Sequence, residues 1–166
     1  MIVEQIENGT LTENQGVFLA VYNSEKKVTL MQMRSDGKLG FPGGTVDPGE
    51  DLITALWREL LEETGFDLDT LPGYSTNLFC SHRFKRSNGD YFHTHLFVME
   101  TDIDTMKNIM LSTITKAEHF IEENNGNFIV SLKEKNDINI FMNNYMANTV
   151  KEELEVLKDF INGQEK

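Results

Sequence analysis

The sequence predicts an α/β chain of the α+β kind, in which a mixed β-sheet is sandwiched between α-helices. Three observations lead there. Apolar runs bounded by Gly, Asn and Asp mark strands, apolar residues spaced three and four apart mark helices, and the two kinds of segment interleave along the chain. With 166 residues and 39% apolar content there is enough apolar surface for one core, so a single domain over residues 1–166 is expected.

Gly16–Asn23 and Lys27–Arg34 read as strands joined by a polar turn at Asn23–Lys26, and Leu39–Gly49 as a loop rich in glycine and proline. Asp51–Thr64 reads as a helix that Gly65 ends, with Ile53, Leu56, Trp57 and Leu60 on its apolar face. Thr76–Lys85 and Tyr91–Glu100 form the next strands around a Ser87-Asn88-Gly89-Asp90 turn. Ile103, Met106, Ile109 and Met110 predict a second helix, and Asn127–Leu132 a short strand. Val150, Leu154, Leu157 and Ile161 give the last helix one apolar stripe, with Thr149 and Glu152 spaced as a capping box.

Bulk properties exclude several classes. A net charge of −12 argues against a broad basic face gripping duplex DNA. No apolar stretch approaches the roughly 18 residues of a membrane span, and Met1–Glu7 lacks the basic and apolar regions of a signal peptide. A lone Cys80 excludes an internal disulfide and a cysteine zinc site, so a cytoplasmic setting is expected. One local exception is the basic group His82, Arg83, Lys85 and Arg86, which reads either as a solvated hairpin tip or as a phosphate-contacting patch.

Glu59, Glu62 and Glu63 crowd a second face of the Asp51–Thr64 helix, where like charges cost helix stability. Arg58 stands at i,i+4 from Glu62, placed to pair with it, and the preceding glycine-rich loop lets backbone approach a ligand closely. Carboxylates clustered without histidine or thiolate suit Mg2+ or Mn2+ rather than zinc. Such a cluster beside a backbone loop suits phosphate chemistry.

Gly44, Glu50, Arg58, Glu59, Leu60, Glu62, Glu63, Gly65 and Phe66 satisfy every fixed position of the Nudix box, a pattern that chance would produce at roughly one position in 10⁹. The chain thus resembles the Nudix hydrolases. The resemblance implies two or three divalent ions held by Glu59, Glu62 and Glu63 with the Gly43 carbonyl. It makes Glu63 or Glu62 the base for the attacking water, pairs Arg58 with a box glutamate, and leaves Glu50 and Gly44 supporting the site from the loop. The implied reaction is attack of water on phosphorus in the phosphoanhydride of a nucleoside diphosphate-linked compound.

A narrower resemblance, to the snoRNA-decapping and inosine-diphosphatase Nudix group, rests on Leu30–Gly44 and more loosely on Ser81-His82, His95–Val98 and the segments Phe141–Tyr145 and Glu152–Leu154. The box here lacks an extra residue that animal members carry, which bears on substrate preference. This resemblance implies an RNA 5′ cap or a free nucleotide as substrate, and a homodimer. Phe18 and Phe41 then lie where the group handles its base. Asn144 could offer an amide to the base, and His82 and Arg83 could meet phosphates. Two alternatives stand beside it: a pyrophosphatase for ADP-ribose, FAD, NADH or dinucleoside polyphosphates, and a non-catalytic binding module of the same fold. The motifs of NADH-cleaving and coenzyme A-cleaving members are absent, and the three box glutamates are all present.

Overall fold

Side chains alternating along one central strand sort the whole core. The computed structural model describes residues 3–5, 14–67, 70, 75–133, 147 and 149–163. The elements in chain order are β1 (Val3–Gln5), β2 (Gln15–Asn23), β3 (Val28–Arg34), β4 (Leu39–Gly40), β5 (Gly43–Thr45), α1 (Leu52–Thr64), β6 (Asn77–Lys85), β7 (Tyr91–Glu100), α2 (Ile103–Lys116), β8 (Asn124–Ser131) and α3 (Val150–Gly163). From β2, Val17, Leu19 and Val21 join Ala55, Leu56 and Leu60 of α1 and Met106 and Ile109 of α2. The alternate residues Ala20 and Tyr22 join Val150, Leu154, Leu157 and Ile161 of α3. A strand whose two faces both meet helices is apolar at nearly every position, and the sheet lies between helical layers as the sequence predicts.

The strands run in the order β1-β6-β7-β2-β3-β4, with β5 added to β2 and β8 to β3. β2 and β7 are parallel and the other pairs antiparallel. β2 and β3 pair only beside their turn, at Tyr22↔Thr29 and Asn23↔Val28. Beyond it they part: β5 takes the free half of β2, from Gly16↔Thr45 to Phe18↔Gly43, while β4 and β8 stay with β3. That split opens the sheet on its α3 side.

The predicted loop at Leu39–Gly49 therefore contains two short strands, β4 and β5. The strand expected at Asn127 starts at Asn124, and β1 was not foreseen. The apolar face of α1 is also rolled from its predicted setting. Ile53 is 41% exposed, and the buried positions are Ala55, Leu56, Leu60, Glu63 and Thr64. The roll turns Glu63 into the protein. Thr149 precedes α3 as expected, but its hydroxyl donates to the Glu153 carboxyl instead of forming a capping box with Glu152. Among the described residues no helix is long and apolar enough to cross a membrane.

Leu157 is fully buried under the sheet and Leu111 is 62% exposed on α2. Truncating Leu157 to Ala is expected to cost about 2–5 kcal/mol, and Leu111→Ala less than about 0.5 kcal/mol. Urea unfolding midpoints of the two variants check the layer assignment.

Candidate active site

Helix α1 is anchored at both ends. The Asp51 carboxylate accepts from the Thr54 amide and hydroxyl, each at 2.9 Å, and the Gly65 amide donates to the Leu61 carbonyl at 2.9 Å. Within this frame Arg58 reaches back to the loop. Its Nε and one terminal nitrogen donate to the two oxygens of Glu50 at 3.0 and 2.9 Å, and the same terminal nitrogen meets the Thr45 carbonyl at 3.0 Å. The other nitrogen donates to Glu59 at 2.9 Å and stands 3.6 Å from Glu62. The pairing expected with Glu62 is present as a longer ion pair, and Glu50 is the principal partner. A planar fork matches a carboxylate edge better than an i,i+4 approach along the helix can. The Arg58 guanidinium in turn holds the Glu50 carboxyl below its usual range, with help from the Asp47 amide.

The Glu59 carboxylate lies against the backbone of Gly44, where any Cβ would overlap it. Gly43 has φ +149°, and a side chain there would collide with the Val17 carbonyl across the β2–β5 pair. The two box glycines thus bring bare backbone to a carboxylate. Glu63 is 8% exposed; it accepts a hydrogen bond from the Gln32 amide, and its backbone carbonyl accepts from Asn124 at 3.2 Å. Burial pushes Glu63 up to about 7, and the charges of Glu59 and Glu123 add to the shift. Burial also raises Glu59, against the pull of Arg58.

Glu63, Gln32, Gly43 and Gly44 line a cleft of about 290 Å³, whose walls include Phe18 and Phe41. Thr94, Thr149 and Glu153 also line it. The Thr149 hydroxyl donates to Glu153 and stands 3.0 Å from the Thr94 hydroxyl. One Glu153 oxygen is then satisfied and the other, Oε2, is buried without a partner. Burial lifts this carboxyl to about 8.

The structure thus gathers Gly43, Gly44, Glu63, Phe18 and Phe41 around one cleft, with Glu59 against Gly44 and Glu62 joined to it through Arg58. His82 does not sit at a solvated tip. It is 4% exposed, turned inward near Glu152, and burial lowers its pKa. This follows from strand alternation, which sends His82 and Phe84 inward and Arg83 and Lys85 outward. Arg83 stacks over Tyr91 at 4.0 Å and does not line the cleft. Asn144 lies outside the described residues. His95 is structural: its Nε2 donates to the Gln15 amide oxygen at 2.8 Å and its Nδ1 accepts from Ser81 at 2.7 Å.

Sequence reasoning missed Gln32, Glu123, Thr94, Thr149 and Glu153 as cleft residues. Thr149 and Glu153 sit at the start of a helix whose stripe reads as core, and Glu123 follows another glutamate in an acidic loop. No local spacing marks them.

The oxygen donors fit a hard divalent cation in kind: carboxylates of Glu59, Glu62 and Glu63 and backbone carbonyls at Gly43–Gly44, with no thiolate nearby. Glu59 and Glu63 are raised by burial and by neighbouring carboxylates, Glu62 and Glu123 acting on the first and Glu59 and Glu123 on the second, and Gln32 Oε1 is buried without a partner beside Glu63. A cation relieves both conditions. Among the described residues no three His, Cys, Asp or Glu side chains are already gathered to hold an ion; Arg58 bridges Glu59 and Glu62, and Gln32 ties Glu63.

Comparison with known proteins shows what the chain is similar to. A family model described as Nudt16-like, U8 snoRNA-decapping enzyme-like, matches residues 10–160. The U8 snoRNA-decapping enzyme of Homalodisca vitripennis is 64% identical over 47 residues, 28% of this chain and 25% of that protein. That of Xenopus laevis is 34% identical over 98 residues, 58% of this chain and 45% of that protein. The chain therefore matches less than half the length of either relative. A MutT NUDIX hydrolase from Burkholderia pseudomallei shares the fold, with a TM-score of 0.59 at 17% identity, covering 86% of this chain and 95% of that one.

Glu153 yields a test of the cleft lining contributed by α3. In the folded chain it keeps its proton up to about pH 8, whereas an unfolded glutamate ionises near about 4.3. The folded state holds the extra proton between those values, so the contribution to stability is full below the lower one and is lost as pH rises through the upper one. Glu153→Gln keeps the shape and removes the titration. Wild type is expected to lose stability relative to this variant between about pH 5 and 8, by up to roughly 1.4 kcal/mol per pH unit. Urea midpoints measured across that range check it, and parallel profiles would contradict it.

Proposed function

This chain belongs to the Nudt16-like family of Nudix hydrolases, and on that premise we propose that it hydrolyses the phosphoanhydride of nucleoside diphosphate-linked compounds, among them RNA 5′ caps and free nucleoside diphosphates. The observation that carries the reading is one cleft in which Glu63 and the Gly43–Gly44 backbone face the aromatic walls Phe18 and Phe41. The first group suits the reacting phosphates and the second a flat base.

In this reading Glu59, Glu62 and Glu63 with the Gly43 carbonyl hold Mg2+ or Mn2+. When bound, such ions neutralise charge on the phosphoryl oxygens and acidify the attacking water. The chain's own residues do the rest. Arg58, fixed by Glu50 and the Thr45 carbonyl, keeps Glu59 and Glu62 at the loop. Glu63 is the box carboxylate that lines the cleft, the placement a general base needs, whereas Glu62 is turned toward Arg58. Phe18 and Phe41 hold the base by stacking and exclude water. Glu123, whose charge acts on both Glu59 and Glu63, adds a further oxygen donor. The decapping relatives support an RNA end as substrate, and the size of the cleft suits a free nucleotide as well.

The experiment is turnover of a panel with Mg2+ or Mn2+, products identified by mass spectrometry. The panel contains capped RNA, NAD-capped RNA, inosine and guanosine diphosphates, ADP-ribose, FAD and diadenosine polyphosphates. Glu63→Gln is expected to lower kcat by about 10²–10⁴-fold. Gly44→Ala, which displaces the Glu59 carboxylate, is expected to lower it by at least about tenfold while the circular dichroism spectrum is kept. No metal-dependent turnover of any panel member by the folded wild type would overturn the hydrolase reading.

A further inference from the structure

Glu153 is a carboxyl that the fold itself does not need. It stands near the start of α3, 2% exposed, in the stripe of Val150, Leu154 and Leu157 that packs on the sheet. The Thr149 hydroxyl donates to one of its oxygens, and the other, Oε2, is buried without a partner. No ion pair among the described residues involves it. Burying a carboxyl in this way costs stability, and an apolar side chain would fill the position without that cost. The groups around it offer no compensating charge. From α3 comes Glu152, whose charge makes Glu153 hold its proton more firmly. From β6 come Cys80, a thiol raised to about 12, and His82, which burial holds toward its neutral form. The cleft lining adds Glu63, Glu123 and Arg34, the last paired with Asp36 at 3.0 Å. Glu153 therefore stays neutral up to about pH 8, with a hydrogen to donate.

The same carboxyl lines the cleft together with Phe18. The β2–β7 register sets Gly16 beside Thr94 and Phe18 beside Leu96, so Phe18 and Thr94 are diagonal neighbours on the α3 face of the sheet. The Phe18 ring lies over Gly16, where a Cβ would come within 2.9 Å of it, and this brings the ring level with Thr94. Thr94 stands 3.0 Å from Thr149, and Thr149 bonds Glu153. A row of polar groups thus begins beside the ring and ends at the carboxyl. Every nucleobase has a flat face for such a ring and an edge that carries carbonyl oxygens or ring nitrogens.

We propose that binding of a nucleotide in the cleft fixes a proton on Glu153, whose unpartnered oxygen donates it in a hydrogen bond to a carbonyl oxygen or ring nitrogen on the edge of a base stacked on Phe18. The proposal rests on the reading of the cleft as a nucleotide site. It adds a dependence of affinity on pH that comes from the base, not from the phosphates or the metal. Below about pH 8 the donor is in place; as pH rises through that value the free protein loses it, and a carboxylate meets an acceptor.

The test is isothermal titration calorimetry of the full chain, with Mg2+ present, against the 5′-monophosphates of guanosine, adenosine and uridine. All three bases present such acceptors. None of these nucleotides has a phosphoanhydride, so the measurement is independent of turnover. Ribose 5-phosphate is the control without a base. Titrations at about pH 8 in two buffers of different ionisation enthalpy count the protons taken up. With the tightest nucleotide, wild type is expected to take up about half a proton more than Glu153→Gln, whose amide donates at every pH. Between about pH 7 and 9 the wild-type Kd is expected to rise about tenfold relative to that of the variant. Ribose 5-phosphate is expected to show neither difference. Equal proton uptake and parallel Kd profiles in the two proteins would overturn the proposal, because a merely structural Glu153 changes stability with pH and not the protons bound with the base. So would the failure of every nucleotide to bind better than ribose 5-phosphate. Absence of turnover on every panel substrate, with the proton uptake intact, would sink the hydrolase reading alone.

Discussion

The site depends on where Arg58 puts its guanidinium. Its donors are spread over Glu50, Glu59 and the Thr45 carbonyl, which ties the middle of α1 to the loop that follows β5. With a third of its side chain in solvent, this cluster adds little to stability for its charge count. Its effect is positional. The bidentate contact fixes the roll of α1 about its axis, and that roll decides that Glu63 is buried while Ile53 is left in water. Ala55, Leu56 and Leu60 are buried in this setting of the helix, and Ile53 at the edge of the stripe is not. The helix gives up burial of an isoleucine to place a carboxylate.

A clamp of this kind needs something firm to hold against. β5 supplies it through its pairing with β2, since Gly43 and Gly44 lie flat against Val17 and Phe18 with no side chain between. The same pairing pushes β3 away from β2 after two residue pairs. Loop, helix and cleft therefore have one origin, the decision of β2 to exchange its partner midway. In this respect the two glycines do two separate things: one permits a backbone conformation across the strand pair, and the other leaves room for the Glu59 carboxylate.

What could be read in the sequence follows from how local each signal is. The box residues lie within Gly44–Phe66, one loop and one helix, and their spacing carries the α1 cap, the glutamate face and the helix end. The β6–β7 turn was legible for the same reason, with Asn88 and Gly89 at its tip. The roll of α1 was not, because periodicity gives an apolar stripe without saying which edge of it meets the core. Gln32, Glu123 and Glu153 were hidden because they come to the cleft from β3, from the approach to β8 and from α3, and only the tertiary fold brings these together. Glu153 was the hardest to foresee. A glutamate among Val150, Leu154 and Leu157 falls within the buried stripe, where a carboxyl is costly and a sequence reader assigns it to the solvated side.

The charge around the cleft constrains how a phosphate substrate can be held. Among its described lining residues the acids are Glu63, Glu123 and Glu153, and the cation is Arg34, which is paired with Asp36 at 3.0 Å. A diphosphate entering such a cleft meets carboxylates, and like charges at this separation in a partly buried space repel strongly. Proteins that bind phosphates with their own charge line the site with Arg and Lys; this one does not. Raised pKa values at Glu63 and Glu153 lessen the repulsion without reversing it. Attraction must then be brought in by cations at the glutamates. On the proposed reading, the acidic lining selects for ions before it selects for nucleotides, and affinity for the substrate is conditional on those ions being in place.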